Sequence, residues 1–539
     1  MYTPDSSIPG SPLRIGRCPM IRLQTPPAFP FLRAAALTAL LWATAGVPRE
    51  ATASDGEGPE YRDRQVAVRL LAGSDIAAFN GRWGTTLVAS LADENYHLVE
   101  VPELEDCEQL ALLMAADPEV LRSDLNFVVE GPEAVRQMVV GAVGGGWADF
   151  EFQRMAEAIG VATAHAYSRG EGITVAVLDT GVYEGHDVLH DRLTWPGRDF
   201  LDGDNEPRDE ANGVDDDLDG MIDEGYGHGT MVAGLIALVA PEARILPIRI
   251  LDDEGRTDLF TMAAGIEYAR LAGARVINMS FGARLETLPG LEYLFQRCAA
   301  EGVIPVAGAG NDNRSDLPLY PAQVAEVFMV TALDTLGVKA DFADYSERVL
   351  VAAPGVGLRS SYPEGEDDEE WGLGAGCSFA TALVSAEVAL ILAQDPSLDH
   401  GAVRARVASA VTDIYSLPGN EAYLGRLGTG MIFLPLALGA DQTAVPGIPE
   451  LAGLHLDAYP NPTPGTVRFS LPGGRSAAIG PLAVFDSAGR LVRRLDLGAT
   501  GIGIWDGLDE AGRRLPAGAY FARLSTPAGV LRSKVVLMR

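Results

Sequence analysis

The feature that most constrains the fold is an alternation of apolar strands and helices between about residues 155 and 440. Short runs such as GITVAVLDTGV, RILPIRIL and VIPVAGAGN are mostly apolar, and helical stretches such as SFATALVSAEVALILAQ separate them. Strands that are apolar on both faces and alternate with helices predict an α/β fold, with a parallel sheet covered by helices on both sides. In such sheets the active site lies at the carboxyl ends of the strands. The turns after these strands are therefore where reactive side chains are expected.

Three of these turns carry residues whose chemistry is complementary. Asp179 ends the strand VAVLD, His228 lies in GYGHGT, and Ser378 lies in GAGCSFAT at the start of a long helix. A serine hydroxyl becomes a nucleophile when an imidazole accepts its proton, and a carboxylate fixes the tautomer of that imidazole. Asn311 ends VIPVAGAGN and offers an amide to a developing oxyanion, as does the backbone N–H of a serine at a helix N-terminus. This set of residues predicts nucleophilic catalysis by serine.

With these residues in their order along the chain, the sequence resembles the subtilase family of subtilisin-like serine proteases. The resemblance rests on the motifs VAVLDTGV, GHGTMVAG, VINMSFG, VAGAGN, VAAPG and GCSFATALVSA. It implies a serine endopeptidase that acts on proteins or peptides through an acyl-enzyme. Ser378 would be the nucleophile, His228 the general base and acid, and Asp179 the orienting carboxylate. Asn311 would stabilise the oxyanion.

The sequence departs from the family pattern at three positions near these motifs. Cys377 replaces the usual threonine before the serine, Met231 replaces a second histidine, and Ala382 replaces a proline. None of these substitutions removes a catalytic group, so they affect the detail of the pocket rather than the chemistry. The alternative function is a catalytically silent surface scaffold or adhesion protein on the same fold. The complete triad favours the enzyme.

Residues 1–53 are predicted to be an N-terminal tail and a signal peptide. A mostly apolar segment, Ala34–Val47, follows Arg22 and Arg33 and ends before the small residues at 51–53, where a signal peptidase would cut. Its 14 residues are too few for a transmembrane helix, which needs about 20. No other segment is expected to be long and apolar enough to span a membrane. The protein is therefore predicted to be secreted and extracellular.

Charge and cysteine content exclude several other classes of protein. The chain carries 41 Lys and Arg against 74 Asp and Glu, for a formal net charge of −33. This acidity argues against a nucleic-acid partner, because binding phosphates needs an excess of basic side chains. The four cysteines lie far apart in sequence, so they predict neither a disulfide scaffold nor a CxxC metal site.

Part of the acidity is concentrated in one segment, DGDNEPRDEANGVDDDLDGMIDE, between the aspartate and histidine motifs. Residues 215–220 have the D-x-D-x-D-G spacing of calcium loops, in which alternate carboxylates converge on one cation. The twelfth position is Tyr226 rather than glutamate, so the match is not a complete EF-hand. The alternative is an acidic loop exposed to solvent. The predicted ligands of a structural calcium ion are Asp215, Asp217, Asp219, Asp223 and Glu224.

Residues 54–145 are predicted to form a small α+β domain before the peptidase domain at 150–440. The order of its strand and helix patterns is βαββαβ, which is typical of a ferredoxin-like arrangement. The resemblance to subtilases implies a propeptide that assists folding and occupies the active site until it is removed. Under this hypothesis the enzyme is made as a precursor and binds its own propeptide. The Gly-rich stretch 141–146 is the expected place of cleavage.

Residues 441–454 are predicted to be a linker, and residues 455–539 a separate all-β sandwich. The segments AVFDSAGRLVRRLDL and GIWDGLDEAGRRLPAGAYFARLS are each predicted to form a hairpin. With YPNP at 459–462, these segments resemble the Ig-like C-terminal domains of secreted bacterial proteins, related to the flagellar-hook-cap Ig-like domain and to type IX secretion sorting domains. The resemblance implies contact with the cell surface or with secretion machinery. A plain structural appendage is the alternative.

Overall fold

A computed structural model describes most of the chain after residue 58, together with residues 52–53. The described ranges are 59–131, 139–140, 146–151, 153–217, 219–285, 288–363, 370–440, 456–459, 463, 465–470, 482–486, 490–495, 502–510, 512–526 and 529–538. The predicted signal segment 34–47, the linker 441–454 and most of the Gly-rich stretch lie outside these ranges.

The first folded unit has the predicted βαββαβ order, preceded by one short strand. Its elements are β1 (Thr52–Ala53), β2 (Tyr61–Leu70), α1 (Ile76–Trp83), β3 (Thr86–Leu91), β4 (Tyr96–Glu100), α2 (Cys107–Met114) and β5 (Val120–Glu130). Both helices begin after an aspartate, Asp75 or Asp106, whose side chain accepts a hydrogen bond from a backbone N–H of the first turn. The antiparallel strand order β5-β2-β4-β3 is that of a ferredoxin-like sheet.

The middle of the chain forms the predicted α/β domain. Its elements are β6 (Val139–Val140), α3 (Trp147–Glu151), α4 (Arg154–Ala158), α5 (Val161–Ala164), β7 (Thr174–Asp179), β8 (Arg198–Asp199), α6 (His228–Val239), β9 (Arg244–Arg249), β10 (Arg256–Asp258), α7 (Leu259–Leu271), β11 (Val276–Met279), α8 (Glu292–Ala300), β12 (Ile304–Gly308), β13 (Phe328–Leu333), β14 (Val351–Pro354), β15 (Val356–Ser361), β16 (Trp371–Ala375), α9 (Cys377–Gln394), α10 (His400–Ser409), β17 (Val411–Thr412), β18 (Met431–Ile432) and α11 (Leu434–Ala437). Nine strands form one sheet in the order β17-β18-β14-β13-β12-β11-β7-β9-β8. All neighbours are parallel except β17 and β18.

Helices cover both faces of this sheet and create two hydrophobic cores. Alternate side chains of β7 point to opposite faces, so Val175 and Val177 pack with α6 and α9, while Ala176 and Leu178 pack with α7 and α8. One face of the ferredoxin-like sheet also packs on α7 and α8. The rings of Tyr96 and Phe260 are stacked there, with their centroids 5.4 Å apart. The first unit is therefore joined to the α/β domain by a shared hydrophobic core.

The helix α9 corrects one expectation from the sequence. It has 18 residues with a mean hydropathy of 1.6, so by length and composition it could cross a membrane. In the structure 89% of this segment is buried, and it packs between α6 and the sheet. Such burial is that of the core helix of a folded domain. The expectation that no later segment is long and apolar enough to span a membrane was therefore wrong. A helix surrounded by protein on all sides is as apolar as one surrounded by lipid.

The C-terminal region forms two antiparallel sheets around one core. Its strands are β19 (Asp457–Tyr459), β20 (Val467–Ser470), β21 (Leu482–Phe485), β22 (Leu491–Leu495), β23 (Ile502–Trp505), β24 (Gly518–Thr526) and β25 (Gly529–Leu537). One sheet has the order β19-β20-β23 and the other β22-β21-β24-β25, with Trp505 and Phe469 fully buried in the core. The first predicted hairpin is present as β21 and β22. The second prediction was wrong, because β23 and β24 belong to different sheets.

Candidate active site

The carboxylate and the imidazole predicted from the sequence lie in contact. Asp179 is the last residue of β7 and His228 the first residue of α6, and Asp179 Oδ1 lies 2.7 Å from His228 Nδ1. The same oxygen accepts a hydrogen bond from the backbone N–H of Thr180, and the side chains of Asp179 and His228 are both buried. A carboxylate at Nδ1 favours the tautomer that is protonated there. Nε2 is then the basic nitrogen of the ring.

The predicted nucleophile, Ser378, lies in the first turn of α9 beside this histidine. Its Oγ donates a hydrogen bond to the carbonyl of Ser280 at 3.1 Å, just beyond the end of β11. The ring of Phe379, the next residue, lies 5.4 Å from the ring of His228. Because α6 and α9 pack on the same face of the sheet, the helix starts that carry histidine and serine meet at its carboxyl edge.

Asn311 is bonded to the start of the same helix. Its Oδ1 accepts a hydrogen bond from the backbone N–H of Cys377 at 2.9 Å, and the Cys377 thiol donates to the carbonyl of Gly310 at 3.1 Å. Because Oδ1 is the accepting atom, Nδ2 is the donor that the amide offers to an oxyanion. The backbone N–H of Ser378, in the first turn of α9, is a second donor of the same kind. The buried Cys377 acts here as a structural contact.

A buried carboxylate that the sequence analysis did not single out holds these pieces together. Asp209 accepts hydrogen bonds from the backbone N–H groups of Gly227 and Thr230 and from the hydroxyls of Thr230 and Thr180. It thereby links the start of α6 to the residue after Asp179. Burial raises the pKa of Asp209 to about 6, although its donors favour the charged form. The only sequence signal was its place in the acidic segment, which contains many other carboxylates.

One side of the site holds the end of the N-terminal unit in the manner of a bound peptide. Glu130 exchanges two backbone hydrogen bonds with Gly282, of 3.1 and 2.9 Å, and the N–H of Gly131 donates to the carbonyl of Gly255 at 2.8 Å. The last residues of β5 therefore form an antiparallel strand between β10 and residue 282. Gly282 lies two residues beyond Ser280, the residue that accepts the bond from Ser378.

The chain is paired a second time with the strand that precedes the nucleophile. Val139 and Val140 of β6 run antiparallel to Gly374 and Leu373 of β16, which ends three residues before Ser378. The chain is thus paired at residues 130–131 with Gly282 and Gly255, and at residues 139–140 with the strand that leads to Ser378. From the sequence alone, only the family resemblance predicts that the first unit occupies the active site.

The acidic segment places three of its five predicted metal ligands together. Carboxylate oxygens of Asp215, Asp217 and Asp219 lie within 4.8 Å of one another. Asp223, the fourth predicted ligand, does not belong to this cluster. Its carboxylate instead accepts hydrogen bonds from the backbone N–H groups of Asn212 and Gly213. It therefore supports the loop rather than the cluster.

Glu224, the fifth predicted ligand, faces another buried glutamate. Burial and the neighbouring carboxylate of Glu254 raise the pKa of Glu224 to about 8. Glu254 is 2% exposed, and its Oε1 accepts a hydrogen bond from the backbone N–H of Asp216 at 2.9 Å. Within the described residues, Asp215 Oδ1, Glu224 Oε2 and Glu254 Oε2 are buried and accept no hydrogen bond. No pattern in the sequence pointed to Glu254, which lies 30 residues beyond Glu224.

Comparisons with known proteins show which families the two main parts of the chain resemble. The family model described as "Subtilase family" matches residues 170–430, and the one described as "FlgD Ig-like domain" matches residues 460–528. Thermitase of Thermoactinomyces vulgaris is 32% identical over 257 residues, which cover 46% of this chain and 84% of thermitase. Subtilisin BL of Lederbergia lenta is 31% identical over 256 residues, which cover 46% of this chain and 86% of that protein.

Among solved structures, fervidolysin of Fervidobacterium pennivorans, described as a keratinolytic enzyme related to subtilisin, superposes with a TM-score of 0.57. The superposition covers 92% of this chain and 79% of fervidolysin at 20% sequence identity. At this identity the likeness concerns the fold alone.

Proposed function

The chain belongs to the subtilase family and is a serine-type peptidase, and we propose that it is an endopeptidase whose catalytic residues are Asp179, His228 and Ser378. The observation that carries this proposal is the 2.7 Å contact between Asp179 Oδ1 and His228 Nδ1, next to the helix start that holds Ser378. Its substrates are proteins or peptides, as the peptidase family implies.

In the proposed reaction, His228 Nε2 accepts the proton of Ser378 Oγ while the oxygen attacks the carbonyl carbon of the scissile peptide bond. The carbonyl oxygen becomes an oxyanion, which the backbone N–H of Ser378 and Nδ2 of Asn311 stabilise. The imidazolium, stabilised by Asp179, then gives its proton to the leaving amine, and an acyl-enzyme remains. Water, deprotonated by His228, hydrolyses this ester and regenerates the serine.

Labelling with a serine-directed fluorophosphonate, together with casein hydrolysis, tests this function. The wild-type protein should be labelled and should hydrolyse casein, whereas Ser378→Ala should do neither while melting at the same temperature. A folded wild-type protein that is neither labelled nor active would support the alternative of a silent scaffold. Casein hydrolysis by folded Ser378→Ala would contradict the assignment of the nucleophile.

The proposal includes synthesis as a precursor, with residues 54–145 as the propeptide. Two observations support it: the pairing of Glu130 and Gly131 at the cleft, and the pairing of Val139 and Val140 beyond the nucleophile. Gly282 lies two residues beyond Ser280, which contacts Ser378, and β16 ends three residues before Ser378, so the two pairings favour a cut after Gly131 and before Val139. The Gly-rich stretch that the sequence suggested lies further along the chain.

Self-cleavage by the purified protein tests this maturation. Wild type should release an N-terminal fragment whose C-terminus, determined by mass spectrometry, falls between residues 131 and 139. Ser378→Ala should remain full length under the same conditions. If the variant matures equally well in isolation, cleavage is not autocatalytic. If the wild-type fragment ends within 141–146, the sequence-based expectation of the cleavage site is the better one.

The proposal also includes a structural calcium ion at the acidic loop. Carboxylates of Asp215, Asp217 and Asp219 supply the hard oxygen ligands that calcium prefers, and Glu224 and Glu254 add buried oxygens that accept no hydrogen bond among the described residues. A cation would neutralise these crowded charges. Since the loop leads directly into α6, an ordered loop would also hold His228 in place.

Secretion is proposed from the apolar segment 34–47 and the small residues after it. The C-terminal Ig-like domain is proposed to contact the cell surface or the secretion machinery. Fractionation of cells that produce the full chain, or a chain ending at residue 440, tests both ideas. The full chain should be exported and retained at the surface, and the shortened chain should be exported and released. Equal distribution of the two would make the domain a structural appendage.

A further inference from the structure

The strand edge that binds the end of the N-terminal unit carries one arginine whose partners are all acidic. Arg256 is the first residue of β10, and its side chain is only 13% exposed. Its Nε lies 3.3 Å from a carboxylate oxygen of Glu130, and its guanidinium also pairs with Glu60 and lies 3.7 Å from Asp217. Glu60 and Glu130 belong to the N-terminal unit, whereas Asp217 belongs to the acidic loop.

The register of β5 defines where Glu130 stands relative to the bond that is cut. Glu130 lies opposite Gly282 in an antiparallel pairing, so a peptide that continued this register would place its second following residue opposite Ser280. The carbonyl of Ser280 accepts the hydrogen bond from Ser378 Oγ. A substrate residue at the place of Glu130 is therefore the third residue before the scissile bond, and its side chain can reach Arg256.

We propose that Arg256 is a specificity-determining residue that selects substrates with Asp or Glu at the third position before the scissile bond. The inference rests on the proposed peptidase function and on removal of the N-terminal unit. That removal takes away Glu60 and Glu130 and leaves Asp217 as the remaining acidic ion-pair partner among the described residues. A guanidinium that has lost two carboxylates binds an incoming carboxylate through charge-assisted hydrogen bonds.

Three peptides that differ only at this position, with Glu, Gln or Lys, test the proposal on the mature enzyme in the presence of calcium. Calcium is included because Asp217 would otherwise compete for Arg256. We expect kcat/KM for the Glu peptide to exceed that for the Gln peptide about tenfold, equivalent to roughly 1.4 kcal/mol. The Lys peptide should be the poorest substrate.

Variants at position 256 separate this role from a structural one. Arg256→Gln should cleave the Glu and Gln peptides equally, Arg256→Glu should prefer the Lys peptide, and Arg256→Lys should keep the wild-type ranking. Arg169→Gln is the matched control, because Arg169 also forms an ion pair, with Glu242 on the surface. Arg169 precedes the amino end of β7, whereas Asp179 lies at the carboxyl end of this strand. It should leave the ranking unchanged.

Equal kcat/KM for the Glu and Gln peptides with wild type, or an unchanged ranking in a folded Arg256→Gln, would overturn the proposal. If the position-256 variants do not fold, the wild-type ratio at rising salt concentration decides, because salt screens a partly exposed ion pair. The ratio should fall with salt, and a constant ratio would contradict the inference. Failure of the peptidase function itself looks different: no peptide is cleaved and no fluorophosphonate label is incorporated.

Discussion

Two regions that contain carboxylates lie at the start of α6, and their carboxylates have different partners. In the proposed catalytic pocket (Asp179, His228, Asn311, Ser378), Asp179 Oδ1 receives a hydrogen bond from a backbone N–H and contacts an imidazole nitrogen, while its Oδ2 is buried and accepts no hydrogen bond among the described residues. In the acidic loop (residues 209–226), three carboxylates face one another and further buried oxygens accept no hydrogen bond among the described residues. The carboxylate of the pocket has an imidazole beside it, whereas the loop is proposed to bind a cation. The pocket should therefore control turnover, and the loop should control stability.

The largest expected effect comes from the pocket. Asp179→Asn should lower kcat about 10⁴-fold, because an amide at Nδ1 favours the wrong tautomer of the catalytic histidine. The melting temperature should stay close to that of wild type with calcium present. Peptide hydrolysis and thermal unfolding of the same samples measure the two quantities. If Asp179→Asn instead lowered the melting temperature strongly with little loss of turnover, the assignment of turnover to the pocket and stability to the loop would be wrong.

Asn311→Ala should lower kcat by about 100- to 1000-fold, the usual cost of losing one oxyanion donor. KM should change little, because this bond forms only as the oxyanion develops. Steady-state kinetics on one peptide substrate separate the two constants. A rise in KM at constant kcat would instead assign Asn311 to substrate binding.

The loop should show the reverse pattern, with stability lost before chemistry. Calcium at 100 times its dissociation constant should raise the free energy of unfolding by about 2.7 kcal/mol over the chelated protein. The double variant Asp217→Ala/Asp219→Ala should melt at the lower temperature with or without calcium. Glu210→Ala, an exposed acid in the same loop whose carboxylate does not join the cluster, is the control and should respond like wild type. Equal melting temperatures for wild type with calcium and with chelator would contradict the proposed calcium site.

The smallest effect concerns Asp209, which lies in the loop but bonds to the start of α6. Its pKa is raised to about 6, above that of an unfolded aspartate near about 3.9. The folded state therefore binds more protons between these values, and this contribution to stability is lost as pH rises through 6. The free energy of unfolding should fall by on the order of 2 kcal/mol over this range. Denaturant unfolding of wild type and Asp209→Asn measures it, and an equal slope in both would assign the change to other groups.

The sequence predicted the α/β domain, and it pointed to the four residues of the proposed catalytic pocket, because both signals are local. Asp179, His228 and Ser378 each sit at the junction of a recognisable strand or helix with a turn, and parallel strands bring such junctions to one edge. The two errors had a different origin. The segment from β23 to β24 crosses between sheets, and α9 is apolar because protein surrounds it.

In the acidic loop, the sequence predicted some contacts of the carboxylates but not others. The spacing of Asp215, Asp217 and Asp219 predicted their convergence, since residues two apart in a turn can face one cation. The same spacing could not tell that Asp223 would bond to Asn212 and Gly213 instead. Neither could it find Glu254 or Arg256, which come from the next strand edge and meet the loop only after folding.

By itself, the sequence determined which chemical groups the protein has and at which ends of which strands and helices they lie. Local hydrophobic patterns and short motifs suffice for this, because secondary structure depends mainly on neighbouring residues. Only the tertiary structure decided which carboxylates accept hydrogen bonds and which face one another, and that Arg256 lies beside Glu130 at the end of β5. Such pairings join residues far apart in the chain, and their energies depend on burial and distance, which no sequence spacing specifies.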